Sequence, residues 1–259
     1  MEVYSIDNAD DINYVLDVVE KTWGSLSPIN RDLLVAMEFH GGLILMAEDG
    51  GKIVGIQVSV PGRRRGHSYL YSHVTGVIPE YRDLNVGSKL KLRQKDLAIQ
   101  MGFNLIAWTF DPALAKNAYF NIVRLGTIAR SYHINFYGSM VDHLNSGLPT
   151  DRLVAEWWID RPREMPNNKR KIDMTSGEVP DPDALEPETT VTVSIPENFE
   201  KIKKDDMERA LQIRLNIRKT LTELLKSGYI ILDFKKETHS YVLVNNESIK
   251  HRYGEKIFD

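Results

Sequence analysis

The sequence predicts an α/β fold with a small α+β extension at its C-terminal end. Three observations carry this. Segments of strand period and helix period alternate through the first 160 residues. Asp49-Gly50-Gly51 separates two apolar runs in the manner of a hairpin turn. Near Val77 a strand runs through a proline and a short loop directly into an amphipathic helix.

Taken in order, Val3–Ile6 is a short strand and Asp10–Lys21 a helix with Ile12, Val15, Val18 and Val19 on one face. Ser27-Pro28 opens a second helix that runs to Phe39 and ends at Gly41-Gly42. Leu43–Glu48 and Lys52–Val60 form the hairpin, and Pro61-Gly62 with Arg63–Arg65 makes the next connection. Ser68–Ile78 is a strand stopped by Pro79, Val86–Met101 a helix closed by Gly102, and Phe103–Phe110 a strand ended by Asp111-Pro112. Leu114–Leu125 is a helix, and Ile128–Tyr137 and Leu153–Ile159 are strands on either side of a loop rich in Gly, Asn and Ser. The stretch 165–190 mixes prolines with polar residues and reads as a linker or long surface excursion. After it come a strand (Val191–Ile195), a long helix (Asn198–Lys226) and two strands, Tyr229–Phe234 and Tyr241–Val244. The expected organisation is a domain over 1–164, the linker over 165–190, and a helix-plus-strands extension over 191–259.

Composition narrows the function classes. Of 259 residues, 42% are hydrophobic and 27% charged, the balance of a soluble globular protein. A net charge of -3 supplies no global field toward nucleic acid or anionic lipid, so neither is expected as a partner. With no cysteine, thiolate metal sites and a cysteine acyl-enzyme are excluded. The first residues lack a basic region followed by an apolar run, and apolar stretches such as Leu43–Ala47 are strand-sized. A cytoplasmic protein is expected. No H-E-x-x-H or Walker pattern occurs, so neither a metal nor a nucleoside triphosphate is expected.

The chemistry concentrates in Val77-Ile78-Pro79-Glu80-Tyr81-Arg82-Asp83-Leu84-Asn85-Val86-Gly87-Ser88-Lys89-Leu90. A tight loop feeding a helix start aims backbone N–H groups at one spot, and the helix dipole makes that spot positive. Gly87 and Ser88 are small enough to admit a phosphate, Asn85 suits positive φ, and Arg82 and Lys89 can add charge from the sides.

This stretch resembles the acetyl-CoA signature of the GNAT superfamily of N-acetyltransferases: a strand ending V-x-P, then (R/Q)-x-x-G-x-(G/A), then a helix. Arg82, Asn85 and Gly87 fill the key positions, with Asn85 standing where the family usually has glycine. The order of elements over 1–160 is also that of GNAT proteins, and Asn117-Ala118 to Arg124-Leu125-Gly126 is similar to the family's helix ending in (K/R)-L-G. The resemblance implies a mixed, mostly antiparallel sheet flanked by helices, with acetyl-CoA as co-substrate and an amine acceptor. It further implies that the strand ending at Val77 parts from the strand Phe103–Phe110. Backbone groups near Val77 would take the pantetheine arm. Residues 82–88, including Leu84 and Val86, would take the pyrophosphate, and Asn117 would orient the donor.

Catalytic groups are less fixed by pattern. Ile122 stands where many GNAT proteins have a tyrosine that protonates the departing thiolate, which leaves Tyr119 as the nearby hydroxyl; a packed tyrosine is the alternative. His73, grouped by alternation with Tyr69, Tyr71 and Thr75, and Glu38, near the end of the second helix, are candidate bases. The alternatives are a hydrogen-bonded strand histidine and a solvated helix-end glutamate. Two function classes remain open: an acyltransferase acting on a small-molecule or peptide amine, possible as a homodimer, and a non-catalytic acyl-CoA-binding module. A weaker third is a nucleic-acid contact through Arg63–Arg65.

Overall fold

The computed structural model describes residues 1–6, 8–24, 29–138, 147–179, 181 and 185–259. Ser27-Pro28, most of the Gly/Asn/Ser-rich loop, Pro180 and Pro182 lie outside the described residues. The chain groups into two compact units, Met1–Trp108 with Trp158–Asp160, and Thr109–Trp157 with Arg161–Asp259.

In the first unit the elements are β1 (Glu2–Ser5), α1 (Ile12–Trp23), α2 (Arg31–Phe39), β2 (Leu43–Asp49), β3 (Lys52–Arg64), β4 (His67–Val77), α3 (Val86–Gln100) and the start of β5 (Leu105–Phe110). The strand order is β1-β2-β3-β4-β5, antiparallel except for the parallel β4–β5 pair. Asn8 opens the turn before α1 with a capping box, and Asn30 caps α2 by accepting from Leu33 N at 2.9 Å. β3 runs further than expected. Pro61, Gly62, Arg63 and Arg64 pair with Leu70, Tyr69, Ser68 and His67, and the turn falls instead on Arg65-Gly66, both at positive φ. Pro61 is tolerated there because the β2 pairing has already ended at Ser59.

Two glycines show how helices cover this sheet. A Cβ on Gly55 would meet Val86 and Leu90 of α3, while one on Gly76 would lie 2.5 Å from the Trp23 ring of α1. Gly55 pairs with Val77, the neighbour of Gly76, so α3 and α1 occupy opposite faces. Met101, the C-cap of α3, is 41% exposed, and the core stripe follows Val86, Leu90, Lys91, Gln94 and Ala98.

The second unit holds α4 (Ala115–Ala118), a π-helical turn (Tyr119–Arg124), β6 (Ile128–His133), β7 (Arg152–Trp158), β8 (Arg170–Thr175), β9 (Thr189–Ser194), α5 (Phe199–Asp205), α6 (Met207–Lys226), β10 (Tyr229–Lys235) and β11 (Ser240–Asn245). Its strand order is β7-β6-β10-β11-β9-β8, antiparallel except for β8–β9. The stretch 165–190 therefore contributes a strand, β8, made stable by its ladder to β9. The long helix is two, because Asp206 turns extended and caps α6 by accepting from Arg209 N at 2.9 Å.

Ion pairs tie the C-terminal segment to the earlier part of this unit. Arg214 forks onto Asp111, and Arg218 onto the fully buried Asp151 at 2.8 and 2.9 Å. Buried Arg130 pairs with buried Glu156 and also donates to the Gly254 and Glu255 carbonyls. Each charge is satisfied by a fixed partner, which suits low-dielectric surroundings.

Candidate functional site

The parallel β4–β5 pairing is registered at Leu70↔Ile106 and Tyr71↔Ala107, yet β4 continues to Val77. A bulge explains the departure. Val58 pairs with Val74 and Ser59 with Ser72, so His73 is the extra residue in β4. A bulge bends and twists its strand, which carries the end of β4 away from a straight path. Beyond it, Ile78 N–H bonds back to the Val54 carbonyl at 3.0 Å. Antiparallel pairs alternate, so the peptide groups of Val77 and Thr75 point away from β3, to the side on which β5 lies. Arg82 meets one of them, donating from Nε to the Val77 carbonyl at 3.4 Å.

The loop after β4 brings the chain to α3 through two left-handed residues, Asp83 (φ 65) and Asn85 (φ 60). Asn85 thus supplies without glycine the geometry that the motif requires. The first intrahelical bond runs from Lys89 N to the Asn85 carbonyl at 3.1 Å, so Val86, Gly87 and Ser88 turn their N–H groups out of the helix. The Asn85 side chain makes no capping bond to them, whereas Asn30, Asn198 and Asp206 cap α2, α5 and α6. Leu84 is exposed, Val86 is buried against the sheet, and Gly87 and Ser88 are half-buried. A helix start of this geometry can receive an anion.

His73 lies on the bulge with its ring 6.1 Å from that of Tyr71; it is exposed at the surface, and partial desolvation by its neighbours lowers its pKa. The alternation expected for Tyr69, Tyr71, His73 and Thr75 is interrupted there. Glu38 is exposed on α2, and among the described residues its carboxylate takes part in no hydrogen bond or ion pair.

Asn117, Tyr119 and Ile122 belong to the second unit. Asn117 is exposed on α4, Tyr119 is half-buried with Lys236 Nζ 5.6 Å from its ring centroid, and Ile122 is fully buried. The helix widens to a π turn here, with Leu125 N bonding the Phe120 carbonyl, and Arg163 takes the Ile122 carbonyl. Among the described residues, no cluster of His, Asp and Glu is arranged to hold a metal, and no helix is long and apolar enough to cross a membrane.

No family model matches the sequence, and no curated protein is similar to it at a significant level. Solved structures are similar in fold. Smu.2055 from Streptococcus mutans UA159 superposes with a TM-score of 0.51 at 15% identity, covering 61% of this chain and 99% of that one. A GNAT-family protein from Desulfovibrio desulfuricans gives 0.48 at 18% identity over 61% and 98%. A ribosomal-protein-alanine N-acetyltransferase from Brucella melitensis gives 0.48 at 16% identity over 60% and 98%. The likeness to smu.2055 is one of fold. In this fold, the uncapped start of α3 and the parting of β4 from β5 lie at the same end of β4.

Sequence reasoning missed a polar set beneath that parting: Ser59, Ser72, Lys91 and Gln94, all buried. The available signal was in α3, where Lys91 and Gln94 fall between Leu90 and Ala98 on the stripe that faces the sheet.

Proposed function

We propose that this chain is an acyltransferase that moves an acetyl or short acyl group from acyl-CoA to an amine by direct attack. The observation that carries the reading is the uncapped start of α3, where Val86, Gly87 and Ser88 offer N–H groups beside the open edge of β4. These residues would hold the diphosphate of acetyl-CoA, with Asn85 and Leu84 shaping the loop. Arg82 would brace it from Val77 or add charge. Val77 and Thr75 would receive the pantetheine amides through strand-like pairing. Asn117, on α4, would orient the donor.

The thioester supplies an activated acyl carbon. The amine nitrogen bonds to that carbon, the C–S bond breaks, the amine loses a proton and the thiolate gains one. His73 is the base in this scheme: partial desolvation favours its neutral form, so its ring nitrogen can accept a proton. Glu38 is the alternative base. Tyr119 is the acid, since Ile122 carries no proton to give. Positioning and backbone N–H donors aimed at the developing oxyanion contribute most of the rate.

The acceptor is a small-molecule or peptide amine, and a homodimer in the cytoplasm is part of the same proposal. So is the division of the chain into a GNAT domain over 1–164, a connecting segment over 165–190 and an extension over 191–259. Complete burial of Ile122 in the usual tyrosine slot favours a second reading, a non-catalytic acyl-CoA-binding module. A CoA-release assay across an amine library, run beside calorimetric titration with acetyl-CoA, separates the two. Binding with turnover supports the enzyme; binding without turnover on any amine supports the module; absence of binding overturns both.

A further inference from the structure

Lys91 is 3% exposed on the sheet-facing side of α3, and among the described residues no carboxylate pairs with it. Its Nζ donates to Ser72 Oγ at 2.8 Å and to Gln94 Oε1 at 3.0 Å, and lies 3.4 Å from the centroid of the Trp108 ring. Gln94 in turn donates to Ser59 Oγ at 2.6 Å, and Gln57 donates to Ser59 and, at 3.3 Å, to Ser72. Among the described residues, the groups bonded to or stacked on Lys91 are neutral, Ser72 on β4, Trp108 on β5 and Gln94 on α3, and Gln57 and Ser59 on β3 extend the network behind them.

The register gives this cluster its meaning. β4 and β5 pair at Leu70↔Ile106 and Tyr71↔Ala107, so Ser72 and Trp108 are the next pair in sequence and the first without a registered partnership. Lys91 touches both. It joins the two strands from below at the point where their ladder stops, one residue before the His73 bulge. An ammonium has three N–H donors, and Ser72 Oγ, Gln94 Oε1 and the electron-rich indole face are three acceptors. A buried amine is costly without such partners, and burial does lower the Lys91 pKa well below the ordinary lysine value.

We propose that Lys91 is a positioning residue for the acyl-donor site: held between Ser72 and the Trp108 ring, it fixes how far β4 and β5 part and so aims the Thr75 and Val77 peptide groups. The inference rests on the donor-site reading given above. A methionine at 91 would fill similar volume with no charge to desolvate, so a purely space-filling role predicts an unimpaired protein. The positioning role predicts a stable protein with a misaimed β4.

The test uses the full chain with acetyl-CoA as probe, reading affinity by calorimetry and the backbone amides of residues 73–77 by NMR. Lys91→Met is expected to keep or raise the melting temperature of the free protein, shift those amide resonances, and weaken acetyl-CoA binding by about tenfold, about 1.4 kcal/mol. Ser72→Ala, which removes the β4 contact at almost constant volume, is expected to shift the same amides and weaken binding by a smaller factor. It decides the matter if Lys91→Met does not fold. A folded variant of either kind with wild-type affinity and unmoved amides overturns the role of Lys91 alone. Wild-type protein that fails to bind acetyl-CoA overturns the donor-site reading, and the positioning role with it.

Discussion

Gly87→Glu tests the proposed binding of an anion at the start of α3 most directly. Position 87 lies in the first turn, among the N–H groups of Val86, Gly87 and Ser88 that no side chain of Asn85 caps. The substitution places bulk and a negative charge where the phosphate would sit. Glutamate is otherwise welcome there. A carboxylate in a first helical turn is favoured by roughly 0.3–1 kcal/mol, and replacing glycine within a helix gains a further ~0.5–1 kcal/mol. The free variant should therefore melt at or slightly above the wild-type temperature. Ligand binding works the other way. At a hundredfold excess over Kd, acetyl-CoA should stabilise the wild type by about 2.7 kcal/mol, which for a chain of this size is a rise of roughly 5–10 °C. Differential scanning fluorimetry with and without acetyl-CoA reads both effects in one experiment. The expected result is an intact or raised baseline with the ligand shift abolished. A folded Gly87→Glu protein that keeps the full shift would refute the argument and move CoA binding away from α3.

Three further outcomes follow from other parts of the molecule. Partial desolvation lowers the His73 pKa, so the acid limb of kcat/KM, measured on the amine that best supports CoA release, should fall below pH 6.5 and vanish in His73→Gln; a limb that survives the substitution excludes His73 as the base. Tyr119→Phe should lower turnover by about tenfold or more while leaving acetyl-CoA affinity intact, and wild-type turnover would assign the proton to water or another group. Arg218→Met should destabilise the protein in urea by about 3 kcal/mol, the low end for breaking a buried pair, because Arg218 is 22% exposed and Asp151 keeps bonds from Tyr132 and Asn135 N. Adding Asp151→Asn should recover part of that loss, and an unchanged Arg218→Met midpoint would show that Asp151 does not depend on the C-terminal segment.

What could be read in the sequence is what short stretches decide by themselves. The hairpin at Asp49-Gly50-Gly51 forms because both glycines reach positive φ without strain, at 59° and 80°. The loop at 82–85 was legible because Asn85 adopts left-handed geometry with little strain, and Asp83 was overlooked although it does the same. Features set by distant partners were not legible. β8 is polar enough to read as linker, and only its ladder to β9 makes it a strand. The break between α5 and α6 hides in a run of lysines and shows itself once Asp206 is seen capping Arg209 N. The Tyr119–Arg124 turn has an α-helical pattern, yet it winds wider, and its freed Ile122 carbonyl is taken by Arg163, 41 residues away.

The same limit explains why the candidate site was half visible. The half proposed to bind an anion is local, a strand end, a loop and a helix start within residues 77–90, and periodicity with turn chemistry suffices to read those elements. Its other half depends on a single-residue slip at His73, which exists only relative to β3: Val58 and Ser59 are adjacent, but their partners Val74 and Ser72 are not. Alternation along β4 gives the wrong face to one side of that slip, which is why His73 was grouped with Tyr69, Tyr71 and Thr75. The slip also leaves Ser72 and Trp108 as the first unregistered pair, and the polar cluster forms where the ladder ends. Lys91 and Gln94 violate the apolar pattern of α3 at the place where the sheet violates its own pairing. Two independent breaks of local rule meeting at one point are better explained by a requirement of the site than by two separate defects of the fold.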